Sequence, residues 1–149
     1  MTINERLAGE IKAAMFAQDS VRRGTLRRLK SAVGYLQMEK KTEDLAEADF
    51  LAVVQREAKK RKDSIIQYEQ GGRPELAAAE KAELAVLETF LPKALSPAEL
   101  EALVRAAILE TGATSKAQMG LVMKAAQAKA AGRADGRSIS TLVNSLLPA

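Results

Sequence analysis

Apolar residues recur three and four positions apart along almost the whole chain, the period that gives an α-helix one buried stripe. Ile3, Leu7, Ile11 and Met15 form the first stripe, and Thr2 with Glu5 opens that helix as a capping box. Leu26, Leu29, Val33 and Leu36 form the second, in a helix capped by Asp19 or Ser20 and ending near Lys41. A third helix is predicted from about Glu47 to Gln70, with Phe50, Val54, Ile65 and Tyr68 on one face and Gly71-Gly72 as its stop. Pro74 then restarts helicity at a first-turn position. The fourth helix carries Leu76, Leu84, Leu87 and Leu91 and is expected to run up to Pro92, which disfavours a helical residue before it.

The pattern changes at Lys93-Ala-Leu-Ser-Pro-Ala-Glu99, where Ser96 reads as an N-cap, Pro97 fits the first turn and Glu99 completes a capping box. The domain boundary is expected between Pro92 and Ser96, giving subdomains of residues 1–94 and 95–149. Beyond it three short helices are predicted, Pro97 to Glu110, Ser115 to Ala130 and Arg137 to Leu147, separated by Gly112 and by Gly132-Arg-Ala-Asp-Gly136. β-Branched and aromatic residues are sparse, and no strand is predicted. The expected fold is all-α: an N-terminal four-helix unit with a long antiparallel helical hairpin, plus a small C-terminal three-helix subdomain.

A chain of 149 residues with 47% hydrophobic content can bury a real core. Cysteine and histidine are both absent, which removes disulfides, thiolate chemistry, serine-histidine and cysteine-histidine catalysis, and most zinc sites. No catalytic residue, metal or cofactor is therefore expected. The amino terminus carries charges where a signal peptide needs an apolar run, and no uncharged stretch reaches spanning length, so a cytoplasmic protein with no membrane partner is expected. A formal charge of +4 permits a polyanionic partner without demanding one.

The distribution of that charge says more than its sum. At about 100° per residue, Arg23, Arg27, Lys30 and Gly34 share one side of the second helix, clear of the leucine stripe, with Lys41 near the same line. A row of cations suits a phosphate backbone, while a solvated helix face is the plain alternative. The run Lys59-Lys60-Arg61-Lys62 cannot act as one cluster, because successive helical residues point in different directions. Lys59, Lys60 and Lys62 fall at the edge of the apolar face or away from it, with Lys59 and Lys62 taken as phosphate contacts, whereas Arg61 lies in the apolar face and needs a partner. In a hairpin folding about Gly72, Arg61 and Glu83 are equally distant from the turn, which predicts a structural ion pair; the same register sets Ser64 opposite Glu80. A hydrolytic or metal site at Ser64, Glu80 and Glu83 is the alternative, but it lacks a competent base and offers too few ligands.

In the C-terminal part Lys116, Lys124, Arg133 and Arg137 lie near loops and helix starts, where backbone amides and cations together suit anions. Gly120 inside a helix suggests close helix packing or close approach of a ligand. Met119 and Met123 read as core. Tryptophan is absent and aromatics are few, so stacking on unpaired runs of bases is not expected.

Several motifs in order, Glu57-Ala-Lys-Lys-Arg-Lys-Asp-Ser-Ile, Gly72-Arg-Pro-Glu-Leu, Glu80-Lys-Ala-Glu-Leu, Phe90-Leu-Pro-Lys, Gly112-Ala, Met119-Gly-Leu-Val-Met-Lys and Gly132-Arg-Ala-Asp-Gly, make the chain resemble the YqeY family. That family is similar to the carboxy-terminal region of the B subunit of the tRNA-dependent amidotransferase, GatB. The resemblance implies two helical subdomains and a tRNA-binding module, with the Met119 to Lys124 helix and the Gly132 to Arg137 loop matching the part that helps hold tRNA. It also brings a possible label of carbon-nitrogen ligase with glutamine as amido-N-donor, although no residues here would perform that reaction. Three functions follow as expectations: a stand-alone tRNA-binding accessory module, a protein-interaction module that joins a tRNA synthetase or amidotransferase through exposed apolar residues near Pro92 to Leu95, and a subunit in amide transfer.

Overall fold

The computed structural model describes every residue from Met1 to Ala149 and contains helices and connections only. The chain divides into two units, Met1–Leu91 and Pro92–Ala149, each with its own buried cluster.

The first unit holds α1 (Ile3–Phe16), α2 (Ser20–Lys40), α3 (Glu47–Gln70) and α4 (Pro74–Glu88). Thr2 and Glu5 close the capping box of α1, and Asp19 caps α2 through a side-chain bond from the Arg22 amide. The core is built from Leu7, Leu26, Leu29, Val33, Phe50, Val53, Val54 and Leu87, all essentially buried. Removing a large side chain from such a site costs about 2–5 kcal/mol. Met15, expected on the buried stripe of α1, is exposed, and Ala14 takes the inward position instead. At the end of a helix one residue of azimuth decides which side chain faces the core, and a four-residue stripe drifts past it.

The α3–α4 turn uses Gly72 at φ 70°, a left-handed conformation that costs glycine little. Here the Arg73 amide donates to the Tyr68 carbonyl at 2.8 Å, and Pro74 opens α4. The α4 helix stops at Glu88, three residues short of the expected Leu91. The Thr89 hydroxyl donates to the Val86 carbonyl at 2.6 Å, and the amides of Thr89, Phe90 and Leu91 turn to carbonyls three residues back. That tighter winding accompanies an edge-to-face contact of the Phe90 and Phe50 rings, with centroids 5.7 Å apart. The Arg6 guanidinium lies over both rings, at 5.1 Å and 5.8 Å from their centroids.

The second unit holds α5 (Pro97–Thr111), a 3₁₀ turn at Lys116–Gln118, α6 (Met119–Ala130) and α7 (Gly136–Leu146). Ser96 and Glu99 form the capping box of α5, and Asp135 caps α7 by accepting from the Ser138 amide at 2.7 Å. Val104, Ala107, Val122, Ala126, Ile139 and Val143 make its core. The helix expected from Ser115 begins instead as the 3₁₀ turn, where the Gln118 side chain accepts from the Thr114 amide at 2.7 Å. Leu95 packs into this core, so the stretch near Pro92 to Leu95 does not offer the exposed apolar side chains of an interaction surface.

Candidate nucleic-acid interface

The cations of the first unit fall into two sets. Arg61 is the inward one, with a side chain only 20% exposed. Its Nε lies 3.6 Å from Glu83, one terminal nitrogen lies 3.4 Å from Glu80, and the other lies 3.9 Å from Glu57 one turn earlier. Arg28 of α2 reaches Glu83 in direct contact, and Lys60 lies 3.2 Å from Glu57. Three cations therefore face three carboxylates, each between 13% and 21% exposed. Glu80 sits on Arg61, not on Ser64, because a guanidinium spans a full helical turn and can bind two carboxylates at once. With every carboxylate answered by a cation, the cluster offers no free general base. Arg28 escaped the sequence reading because it falls off the outward row, on the side of α2 that meets α4.

The outward set is different in kind. On α2, Arg22 is paired with Glu10 at 2.7 Å, Arg28 with Glu83 and Lys40 with Asp49 at 2.9 Å. Arg23, Arg27 and Lys30 lie along one line of the same helix and none has a carboxylate within ion-pairing distance. Arg27 and Lys30 are exposed, and Arg23 is half-buried beside a small recess at the α1–α2 turn. Lys59 and Lys62 on α3 are also exposed and unpaired, unlike Lys60 between them.

In the second unit Lys116, Lys124 and Arg137 are exposed and unpaired. Arg133 is not. Its Nε donates to the Lys93 carbonyl at 2.9 Å, its own carbonyl accepts from the Leu95 amide at 2.9 Å, and a terminal nitrogen lies 3.9 Å from Glu99. The Gly132–Gly136 loop thus fastens the segment that enters α5, a use of arginine that no charge count could separate from ligand binding. Glu99 has its carboxyl held below the usual range, first by the Ser96 backbone amide and the Ser96 side chain, and less by the charges of Arg133 and Lys93. Gly120 sits on the exposed side of α6, and a Cβ there would meet no atom within 4 Å, so helix packing does not account for it.

No helix is long and apolar enough to cross a membrane. Large apolar side chains are nevertheless exposed at the α1–α2 turn, where Phe16 is 80% exposed beside Met15 and Val21.

The architecture defines a class: an all-helical chain of two units whose unpaired cations line outward helix faces. The chain belongs to the family described as Yqey-like protein, whose model matches residues 4–147. It is similar to "Altered inheritance of mitochondria protein 41, mitochondrial" of Vanderwaltozyma polyspora, at 29% identity over 97 residues, 64% of this chain and 52% of that protein. It is also similar to the protein of the same name in Kluyveromyces lactis, at 33% identity over 84 residues, 56% of this chain and 45% of that protein. The matched region spans about half the length of these curated relatives.

Proposed function

We infer that this protein is an RNA-binding accessory module whose ligand is tRNA, held through phosphates and folded shape. The observation that carries the reading is the sorting of cations on α2, where Arg22, Arg28 and Lys40 are neutralised and Arg23, Arg27 and Lys30 are not. An unpaired row costs nothing to desolvate from a carboxylate and releases counterions when it meets a polyanion. From Arg23 to Lys30 the row spans about 10 Å, comparable to the axial rise of about three nucleotides on one strand. Lys59, Lys62, Lys116, Lys124 and Arg137 supply further phosphate contacts in this reading, and Arg133 does not.

The test is a salt titration of tRNA binding by fluorescence anisotropy. Affinity should fall steeply with salt, and Arg23→Ala/Arg27→Ala should flatten the log–log slope by about 1.5, from roughly 0.7–0.9 per phosphate contact. A chain that leaves tRNA unbound at low salt would end the reading. Lys116→Ala/Lys124→Ala, taken alongside, assigns the contact to the second unit if it lowers affinity more.

A second reading, a protein-interaction module for a tRNA synthetase or amidotransferase, is favoured by the exposure of Phe16, Met15 and Val21 at the α1–α2 turn. A pull-down indifferent to nuclease but lost in Phe16→Ser would support it. A part in amide transfer, as a carbon-nitrogen ligase using glutamine, requires a partner to supply the chemistry. Glutaminase activity from the isolated chain would contradict that requirement. A cytoplasmic site of action belongs to the same proposal and is tested by cell fractionation.

A further inference from the structure

The row of Arg23, Arg27 and Lys30 leads to a shallow depression in the surface. One helical turn beyond Lys30 stands Gly34, which lines a recess of about 520 Å³ together with Asn4, Gln37, Met38, Lys41 and Glu43. The recess is shallow and largely open to solvent. Gly34 is in the interior of α2, where glycine costs about 1 kcal/mol relative to alanine. A Cβ added there would meet no atom within 4 Å, so internal packing does not require the glycine. A larger side chain at 34 would occupy the recess instead.

The lining has a definite chemistry. Asn4 Nδ2 donates to Gln37 Oε1 at 3.3 Å, and Gln37 Nε2 donates to the Glu43 carbonyl at 2.9 Å. This chain fixes both amides while using one N–H of each, which leaves a second N–H on each and the Asn4 carbonyl oxygen for a guest. Met38, 77% exposed, adds an apolar wall. Lys41 and Glu43 both line the recess, so their charges offset one another and the amides favour a neutral group that carries both N–H donors and acceptors. Side-chain amides and carboxylates are the groups that read the amino-bearing edges of bases.

We propose that this recess takes the base of one unpaired nucleotide, an amino-bearing base, while Arg23, Arg27 and Lys30 hold the phosphates of the strand that leads to it. The proposal rests on the RNA-binding reading above and adds to it a site for a single base. No aromatic side chain lines the recess, so recognition comes from the base edge and from contact with Met38, not from stacking. That matches a lone extruded nucleotide in a folded RNA better than a single-stranded run.

The experiment uses three RNA hairpins of equal length, one fully paired, one with a single bulged adenosine and one with a single bulged uridine. Binding is measured by anisotropy for wild type, Gly34→Leu and Arg27→Ala, with tRNA as a fourth ligand. Wild type should bind the adenosine bulge about tenfold more tightly than the paired hairpin, with uridine between them. Gly34→Leu should erase the preference and leave paired binding unchanged; leucine is the better helix former, so a thermal melt should show the fold intact or strengthened. Arg27→Ala should weaken all ligands alike. Equal binding of paired and bulged hairpins by wild type, or a bulge preference that survives Gly34→Leu, overturns the recess assignment while leaving RNA binding in place. Failure of wild type to bind tRNA and all three hairpins removes both readings together.

Discussion

Arg61 and Arg27 are the same residue type on long helices of one unit, and they have opposite fates. Arg61 sits among Glu57, Glu80 and Glu83 with little exposure, while Arg27 stands in solvent with no carboxylate partner. Azimuth decides between them: a cation on the apolar side must be neutralised to be buried, and one opposite it is left for whatever anion arrives. The local density of basic residues is misleading here. The densest run, Lys59 to Lys62, contains the most structural arginine of the chain, and the sparser row on α2 contains the free ones.

The contrast can be broken most forcefully at Arg61. Arg61→Ala leaves Glu80 without a cation and Glu83 with Arg28 alone, and should lower the stability of the first unit by about 2 kcal/mol, discounted from the 3–5 of a fully buried pair. Urea denaturation followed by circular dichroism measures it. Arg27→Ala should change the same midpoint by no more than about 0.5 kcal/mol. Equal losses from the two variants would erase the distinction between inward and outward cations.

The next effect is on affinity. Arg23→Ala/Arg27→Ala/Lys30→Ala should reduce tRNA binding at low salt by about tenfold or more and flatten its salt dependence, with stability nearly unchanged. A triple variant that binds as wild type at every salt concentration would make the α2 row an ordinary solvated face.

Arg133→Ala sharpens the comparison in the second unit, where the same question arises. Loss of its single bond to the Lys93 carbonyl and of its proximity to Glu99 should cost that unit about 1 kcal/mol, since the side chain is partly exposed. The tRNA affinity should fall less than in Lys116→Ala/Lys124→Ala. A loss of affinity without a loss of stability would return Arg133 to the binding set.

These outcomes bear on what the amino-acid sequence discloses. The bounds of α3 and the capping boxes at Thr2 and Ser96 were legible because they depend on neighbours within four residues. The end of α4 was not, because Phe90 is turned toward Phe50, a contact 40 residues away in sequence. The outward row on α2 followed from helical period alone, whereas the engagement of Arg28 required knowing that α2 packs on α4. Arg133 was illegible for a stricter reason. Its partner is a backbone carbonyl, which every residue carries and no sequence pattern marks. The recess at Gly34 left no mark in the sequence, where that glycine only shares a helix side with the cation row.

The smallest effect tests whether the entry to α5 is held by charge as well as by hydrogen bonds. The Glu99 carboxyl is depressed in the folded chain, mainly by the Ser96 amide that donates to it. A depressed value means that the ionised form is favoured by folding, so its contribution is present above the unfolded value of about 4.3 and is lost as pH falls through the lower folded value. Glu99→Gln keeps an acceptor for the Ser96 amide but removes the charge that faces Arg133 and Lys93. The melting temperature of Glu99→Gln should therefore lie slightly below wild type at pH 7, with the gap closing once the medium is acidic enough to protonate Glu99. A gap that persists unchanged at low pH would show that amide geometry alone, without charge, holds this helix start, and would remove Arg133 from any electrostatic part in it.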